Sequence, residues 1–269
     1  MDWAKAKNIL IVLLFALNII LAGVIVSRAV GGGADRELFE SVMRIIESRG
    51  VTINCSLPKQ ITSFEMLKYL DGLRYVEQCK ASLNAGNKEY AELLGRESLR
   101  YSNGNPDENL NTENAAALDA DIRKALAEKG VDLSGFIKDY DIEGGDGNFY
   151  YRYILDFKGM LVFDCNVNVT VSREGGISEI TINYRDVKKP EADTLAKIMP
   201  VHQVILKNYY KSGDVIDSIS IGFIRQSSVQ DNPYKGSDEG AVWRIRLDDG
   251  SERFFTAAYG DEVFLYSQS

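Results

Sequence analysis

From Ile9 to Val26 the chain is apolar throughout, with Asn18 the one strongly polar side chain in eighteen residues. As a helix this segment reaches roughly 27 Å, close to the hydrocarbon thickness of a bilayer. Past Gly31-Gly32-Gly33, a flexible joint, the pattern becomes helical. Leu38, Phe39, Val42, Met43 and Ile46 form one stripe of a helix from Asp35 to about Ser48, and Gly50 stops it. Val51–Cys55 reads as a short strand. Phe64–Leu73 fits either a short helix or an irregular connection, and Tyr75–Leu83 and Glu97–Tyr101 read as strands.

Ser102 to Asn109 is the strongest loop signal in the chain and marks a domain boundary. A helix is predicted from about Thr112 to Lys129, with Ala117, Leu118, Ile122, Ala125 and Leu126 inward and Gly130 as its stop. Then the period becomes extended. Ile137–Ile142, Phe149–Phe157, Met160–Ser172 and Ile177–Asp186 read as strands, with hairpin turns at Lys158-Gly159 and Glu174-Gly175-Gly176. Alternation through Cys165–Val171 indicates an antiparallel sheet wetted on one side. A helix over about 200–211, opened by Pro200, precedes strands at Val215–Gln226, Ala241–Leu247, Glu252–Ala258 and Val263–Tyr266. The fold class is therefore α+β, a repeated unit of helices packed on one face of curled antiparallel sheets. Strands do not alternate with crossover helices, which argues against a nucleotide-binding parallel sheet.

The division that follows is a cytoplasmic tail at 1–8, a transmembrane signal anchor at 9–28 and a linker at 29–34. Two extracytoplasmic α+β domains, 35–105 and 112–269, complete it. A cleaved secretory signal is the rival for the apolar segment, since Ser27-Arg28-Ala29 loosely fits a cleavage site. Signal cores run to about 7–15 residues, shorter than this one, and the arginine makes the site a poor one. Lys5 and Lys7 keep the tail on the cytoplasmic side, and Trp3 suits the interface. Asn18 lies mid-span, where its amide either bonds to a partner helix or folds back on its own backbone.

Charge and cysteine content narrow the function. Beyond Gly31 the chain keeps 28 basic and 38 acidic residues, a net charge near −10, which repels nucleic acid and anionic head groups. Cys55, Cys79 and Cys165 are too few and too scattered for a disulfide framework or a zinc site, although a single Cys55–Cys79 bridge is possible.

No chemistry stands out. His202 is the one histidine, so a multi-histidine metal centre is excluded, and no nucleophile or orienting partner is spaced for it. No motif of a serine hydrolase, zinc protease or phosphate-binding loop is present. The nearest miss is Asp139-Tyr140-Asp141-Ile142-Glu143-Gly144, whose first, third, fifth and sixth positions suit a calcium loop. Its twelfth is Tyr150 instead of a bidentate glutamate, so an exposed acidic hairpin turn is the better reading. No catalytic residue, cofactor or metal is expected.

The opening Met1-Asp2-Trp3-x-Lys5-x-Lys7, leading into an Ile/Leu/Phe span with Asn18, resembles the N-terminus of the YycI (WalI) family. Ser212–Phe223 is similar to that family's late strand after a short helix, and Val242-Trp243-Arg244-Ile245 with Phe255–Tyr259 to its closing hairpin. The resemblance implies a non-enzymatic accessory of the YycFG (WalRK) two-component system of low-GC Gram-positive bacteria, in cell wall homeostasis. It implies antiparallel α+β domains shared with part of YycH, and as partners the sensor histidine kinase YycG (WalK), a YycH-like protein and the lipid bilayer. Because the family's transmembrane helix contacts the kinase, it points to Trp3, Lys5, Lys7 and Asn18 as the interacting residues. The competing classes are an anchored cell-wall-associated enzyme or ligand-binding module, with the span a mere tether, and a homodimeric scaffold.

Overall fold

In the computed structural model the described residues are 33–58, 63–65, 67–85, 90–106, 108–188, 195–225, 229–230 and 239–265. Helix α1 (Gly33–Ser48) buries Val42 and Ile46, four residues apart on one stripe. It ends at Gly50, where the Gly50 N–H donates to Glu47 O (2.9 Å) and the Val51 N–H turns back to Ile46 O (3.4 Å), and the chain leaves as β1 (Thr52–Ile53). The segment expected as a helix or an irregular connection instead forms two short strands, β2 (Ser63–Glu65) and β3 (Lys68–Leu70).

Residues 75–83, expected as a strand, belong to helix α2 (Leu73–Leu83). Tyr75 and Val76 favour strands locally, yet Val76, Cys79 and Leu83 sit at helical spacing and all three are buried. The burial period overrides the propensity. After β4 (Ala91–Leu93) and β5 (Ser98–Ser102), helix α3 (Ala115–Glu128) buries Leu118, Ile122 and Leu126 as its pattern requires. It closes as α1 does, with Gly130 N–H on Ala127 O (3.0 Å) and Val131 N–H on Leu126 O (2.8 Å).

Then come β6 (Phe136–Glu143), β7 (Phe149–Phe157), β8 (Met160–Val171) and β9 (Ile177–Asn183), close to the predicted strands. Lys158 (φ 57°) and Gly159 (φ 84°) form the tight β7–β8 turn with both residues left-handed, as expected of a two-residue hairpin loop. The strand expected to run to Asp186 breaks at Tyr184-Arg185 and resumes as β10 (Asp186–Lys188), which pairs with β3, while β11 (Leu195–Lys197) pairs with β2. Helix α4 (Val201–Lys207) starts after Pro200 and is shorter than predicted. Strands β12 (Val215–Arg225), β13 (Val229–Gln230), β14 (Glu239–Leu247), β15 (Glu252–Thr256) and β16 (Glu262–Leu265) complete the described fold.

The architecture is mixed α+β, four helices and a twelve-stranded sheet among the described residues. The sheet is not purely antiparallel, as the alternation suggested. β12 runs parallel to β8 and to β1, because the chain crosses back through α4 before β12 begins. β5 pairs with β9 and β1 with β12, so ladders join the sequence before residue 105 to that after residue 112. Among the described residues no helix is long and apolar enough to cross a membrane. The apolar segment 9–28, the tail 1–8 and most of the linker lie outside the described residues.

One face of the sheet packs Tyr153, Val167, Val169, Ile180 and Ile182 in the main core with the helices. The opposite face of β8 is not simply wet. Asn166 and Asn183 lie directly across from each other, both buried, and the Asn183 and Asn168 amides both donate to Asn166 Oδ1 (3.0 and 3.1 Å). Buried amides persist because they satisfy one another.

β8 changes register against β7 midway: Ile154 faces Asn166, but Leu155 faces Val162, which leaves Phe163, Asp164 and Cys165 without partners on β7. The Phe163 ring swings over Gly222 of β12, where an added Cβ would lie 2.4 Å from Leu161 O and 2.7 Å from the ring. Only glycine permits that approach. Gly222→Ala is expected to destabilise the fold by about 1–3 kcal/mol through overpacking, measured as a shift of the urea midpoint.

Candidate functional site

The residues implicated by sequence in partner contact, Trp3, Lys5, Lys7 and Asn18, lie outside the described residues. What the structure does place is the segment that follows them. Two constellations emerge, the joint that seats α1 and a charged seam across the sheet.

In the joint, α1 packs on α4 through an apolar stripe, with Val42 and Ile46 on one side and Val201, Val204 and Ile205 buried on the other. Phe39 meets His202 edge to face, ring centroids 5.6 Å apart. The sole histidine is thus part of a helix–helix contact. Arg49 Nη1 donates to Leu206 O (3.0 Å), Gly213 N–H to Gly50 O (2.8 Å), and Thr52 N–H to Asp214 O (3.0 Å). β1 then adds to the edge of β12, Thr52 against Val215. α4 is tied in turn to the last strands: Trp243 Nε1 donates to Met199 O (2.9 Å) and Lys207 Nζ to Asp261 (2.5 Å).

The seam lies on the sheet face away from the helices. Arg244 grips Asp139 with both terminal nitrogens (2.6 and 2.7 Å), gives Nε to Ser220 (3.0 Å), and stacks on the Phe163 ring at 4.6 Å. Arg246 reaches Asp139 (3.1 Å) and Glu252 (2.8 Å), and Arg152 reaches Glu252 (3.0 Å). The Tyr140 ring lies beside both the Arg152 and Arg246 guanidiniums, at 5.8 and 5.1 Å. Asp139 is only 4% exposed and Arg244 6%. Burial by itself would raise the Asp139 carboxyl. The Arg244 hydrogen bonds and the charges of Arg244, Arg246 and Arg152 outweigh that and hold it below the usual carboxylate range.

The acidic run 139–146 therefore does not act as one exposed turn. Asp139 is drawn into the seam, Asp141 pairs with Lys138 (3.1 Å), and Asp146 alone caps the hairpin by accepting from Asn148 and Tyr150. An extended strand with a register shift between Lys138 and Tyr140 sends these acids to different partners. Sequence reasoning missed the seam. Its one local sign is the alternation Trp243-Arg244-Ile245-Arg246, which puts two arginines on one face of a strand whose other face is core.

The chemistry available elsewhere is limited. Among the described residues no group of three or more His, Cys, Asp or Glu side chains is placed to hold a metal ion. All three cysteines are free, and burial pushes the Cys165 thiol well above its ordinary range, away from nucleophilic use. A cleft of about 290 Å³ between α3 and residues 108–110 is lined by Glu108, Asp121, Lys124 and Glu128. Its Glu108 already holds Lys129 (2.5 Å) and the Ile177 N–H (3.2 Å).

Two outcomes are expected. Ile46→Ala, which hollows the α1–α4 joint, costs about 2–5 kcal/mol in urea unfolding. For Asp139, a folded-state pKa below the unfolded value means that its stabilisation is complete above about pH 3.9 and is lost as pH falls through the lower folded value. From about pH 5 to about pH 2, wild type thus loses more unfolding free energy than Asp139→Asn, read from urea curves at each pH.

No protein-family model matches the chain, and no curated protein matches it. Among solved structures it is similar to an uncharacterized protein from Eubacterium rectale, with 9% identity and a TM-score of 0.46 over 81% of this chain and 91% of that one. It is also similar to the C-terminal domain of YpeB from Bacillus megaterium, with 11% identity and a TM-score of 0.36 over 86% of this chain and 96% of that one. Both likenesses are distant.

Proposed function

We propose that this chain is a membrane-anchored, non-enzymatic regulator that modulates a sensor histidine kinase of the YycG (WalK) type through a transmembrane helix at 9–28, with a YycH-like protein alongside. The sequence resemblance of both chain ends to the YycI family supports the reading. The structural observation that carries it is the seating of α1. That helix begins at Gly33, five residues after Arg28, and is fixed to α4 and, through β1, to β12. A displacement of the apolar segment then reaches the body of the protein, and a change in the body reaches the segment. A simple tether needs no such joint.

The physical action is a biased equilibrium. Kinase spans with two arrangements shift toward whichever packs better with the partner helix, and about 1.4 kcal/mol of difference moves the ratio tenfold. A mid-membrane hydrogen bond from Asn18 supplies roughly 0.5–2 kcal/mol of that.

The test is membrane crosslinking or two-hybrid capture of a YycG-like kinase by the full chain, against a version whose residues 1–28 are exchanged for an unrelated anchor. The intact chain is expected to capture kinase, the exchange to abolish capture, and Asn18→Leu to reduce it about threefold or more. Equal capture by intact and exchanged chains removes the helix from the mechanism. Capture by neither sinks the kinase reading and returns the exterior part to a screen for cell-wall ligands.

A further inference from the structure

The seam joins strands that no backbone ladder connects. In sheet order β7, β8 and β12 lie between β6 and β14, and among the described residues β6 pairs with β7 alone. Asp139 of β6 nevertheless meets Arg244 and Arg246 of β14, and Arg152 of β7 meets Glu252 of β15. The sheet therefore folds over, and side chains alone bridge its two limbs. The fold sits where the β7–β8 ladder is interrupted at Phe163, Asp164 and Cys165. A second register shift, between Lys138 and Tyr140, loosens the β6–β7 pairing beside the seam.

The bridging groups are the wrong ones for a permanent closure. Three guanidiniums face two carboxylates, the Arg152 Nε is buried with no hydrogen-bond partner, and its approach to Asp139 is 3.9 Å. Charges removed from water roughly break even against their mutual attraction, whereas an apolar seam of the same size strengthens closure outright. When an ionic seam parts, every charge regains water. Opening it is thus easier than opening a hydrophobic contact of equal area. The hairpin also carries three exposed apolar side chains, Ile137, Ile142 and Tyr150 (41%, 52% and 37%), so its outer surface is not committed to solvation alone.

We propose that the β6–β7 hairpin is a flap, hinged at residues 163–165 of β8 and latched onto β14–β15 by the Asp139–Arg244/Arg246 and Arg152–Glu252 pairs. Opening is a local event that leaves the helix-covered core intact, and it does not depend on the kinase reading. The device gives the fold two arrangements that an outside partner can select between.

Native-state hydrogen exchange on the full-length chain at low urea tests this. In wild type, amides of 137–143 and 149–154 are expected to exchange through an opening nearly independent of urea, while those of α3 and β9 follow global unfolding. Asp139→Asn is expected to accelerate the flap amides about tenfold or more beyond any change in α3 and β9. The proposal is overturned if flap and core amides share one opening free energy and one urea dependence in wild type. It is equally overturned if Asp139→Asn speeds all amides alike or leaves the flap unchanged.

Discussion

Strand β8 has to serve two sets of neighbours, and the rest of the sheet depends on how it does so. Its first residues, through Val162, lie between β7 and the parallel strand β12; from Asn166 on it lies between β7 and β9. A continuous ladder could not make that exchange. Three residues withdrawn from pairing with β7 let the strand redirect, and each of the three is then put to separate use. Phe163 packs against Phe254 and under Arg244, Asp164 pairs with Arg185, and the Cys165 side chain joins the main core. The interruption costs ladder hydrogen bonds, and packing on both faces of the sheet offsets them. Because of it, the two ends of the chain share one sheet instead of forming two stacked ones.

The charged side chains divide between the same two faces. On the helix-covered side Arg253 pairs with Glu262 (2.7 Å) at the margin of the core, beside Tyr210. On the other side, where no helix lies among the described elements, the buried amides of Asn166 and Asn183 and the arginine seam take the place that a second apolar layer would fill. Polar groups so placed give direction to the closure at little net stability, because each has a particular partner at a particular distance.

The legible parts of the fold were those with strong periodicity and unambiguous stops. α1 and α3, ended by Gly50 and Gly130, and the strands from Phe149 to Val171 with their Lys158-Gly159 turn, follow from pattern and turn chemistry alone. α2 was misread because Tyr75 and Val76 are strand formers, and burial at Val76, Cys79 and Leu83 is a tertiary fact. Parallel pairing of β12 could not be read from alternation, since period two reports which face is buried and not which way a neighbour runs. The seam was invisible for a similar reason. Asp139 and Arg244 are 105 residues apart, and nothing local announces that a carboxylate in an acidic run will be buried against an arginine that distant.

The pairing of Thr52 with Val215 also sets an order of events during synthesis. About 160 residues separate the two, so β1 has no strand to join until β12 has been made. The entropy of closing so long a loop rises only slowly with length, yet the wait itself is set by translation, at about 5–20 residues per second. For several seconds the first helix and strand are present without the surface that orients them. The joint is therefore among the last contacts to form, and a chain that stops short of β12 never acquires it.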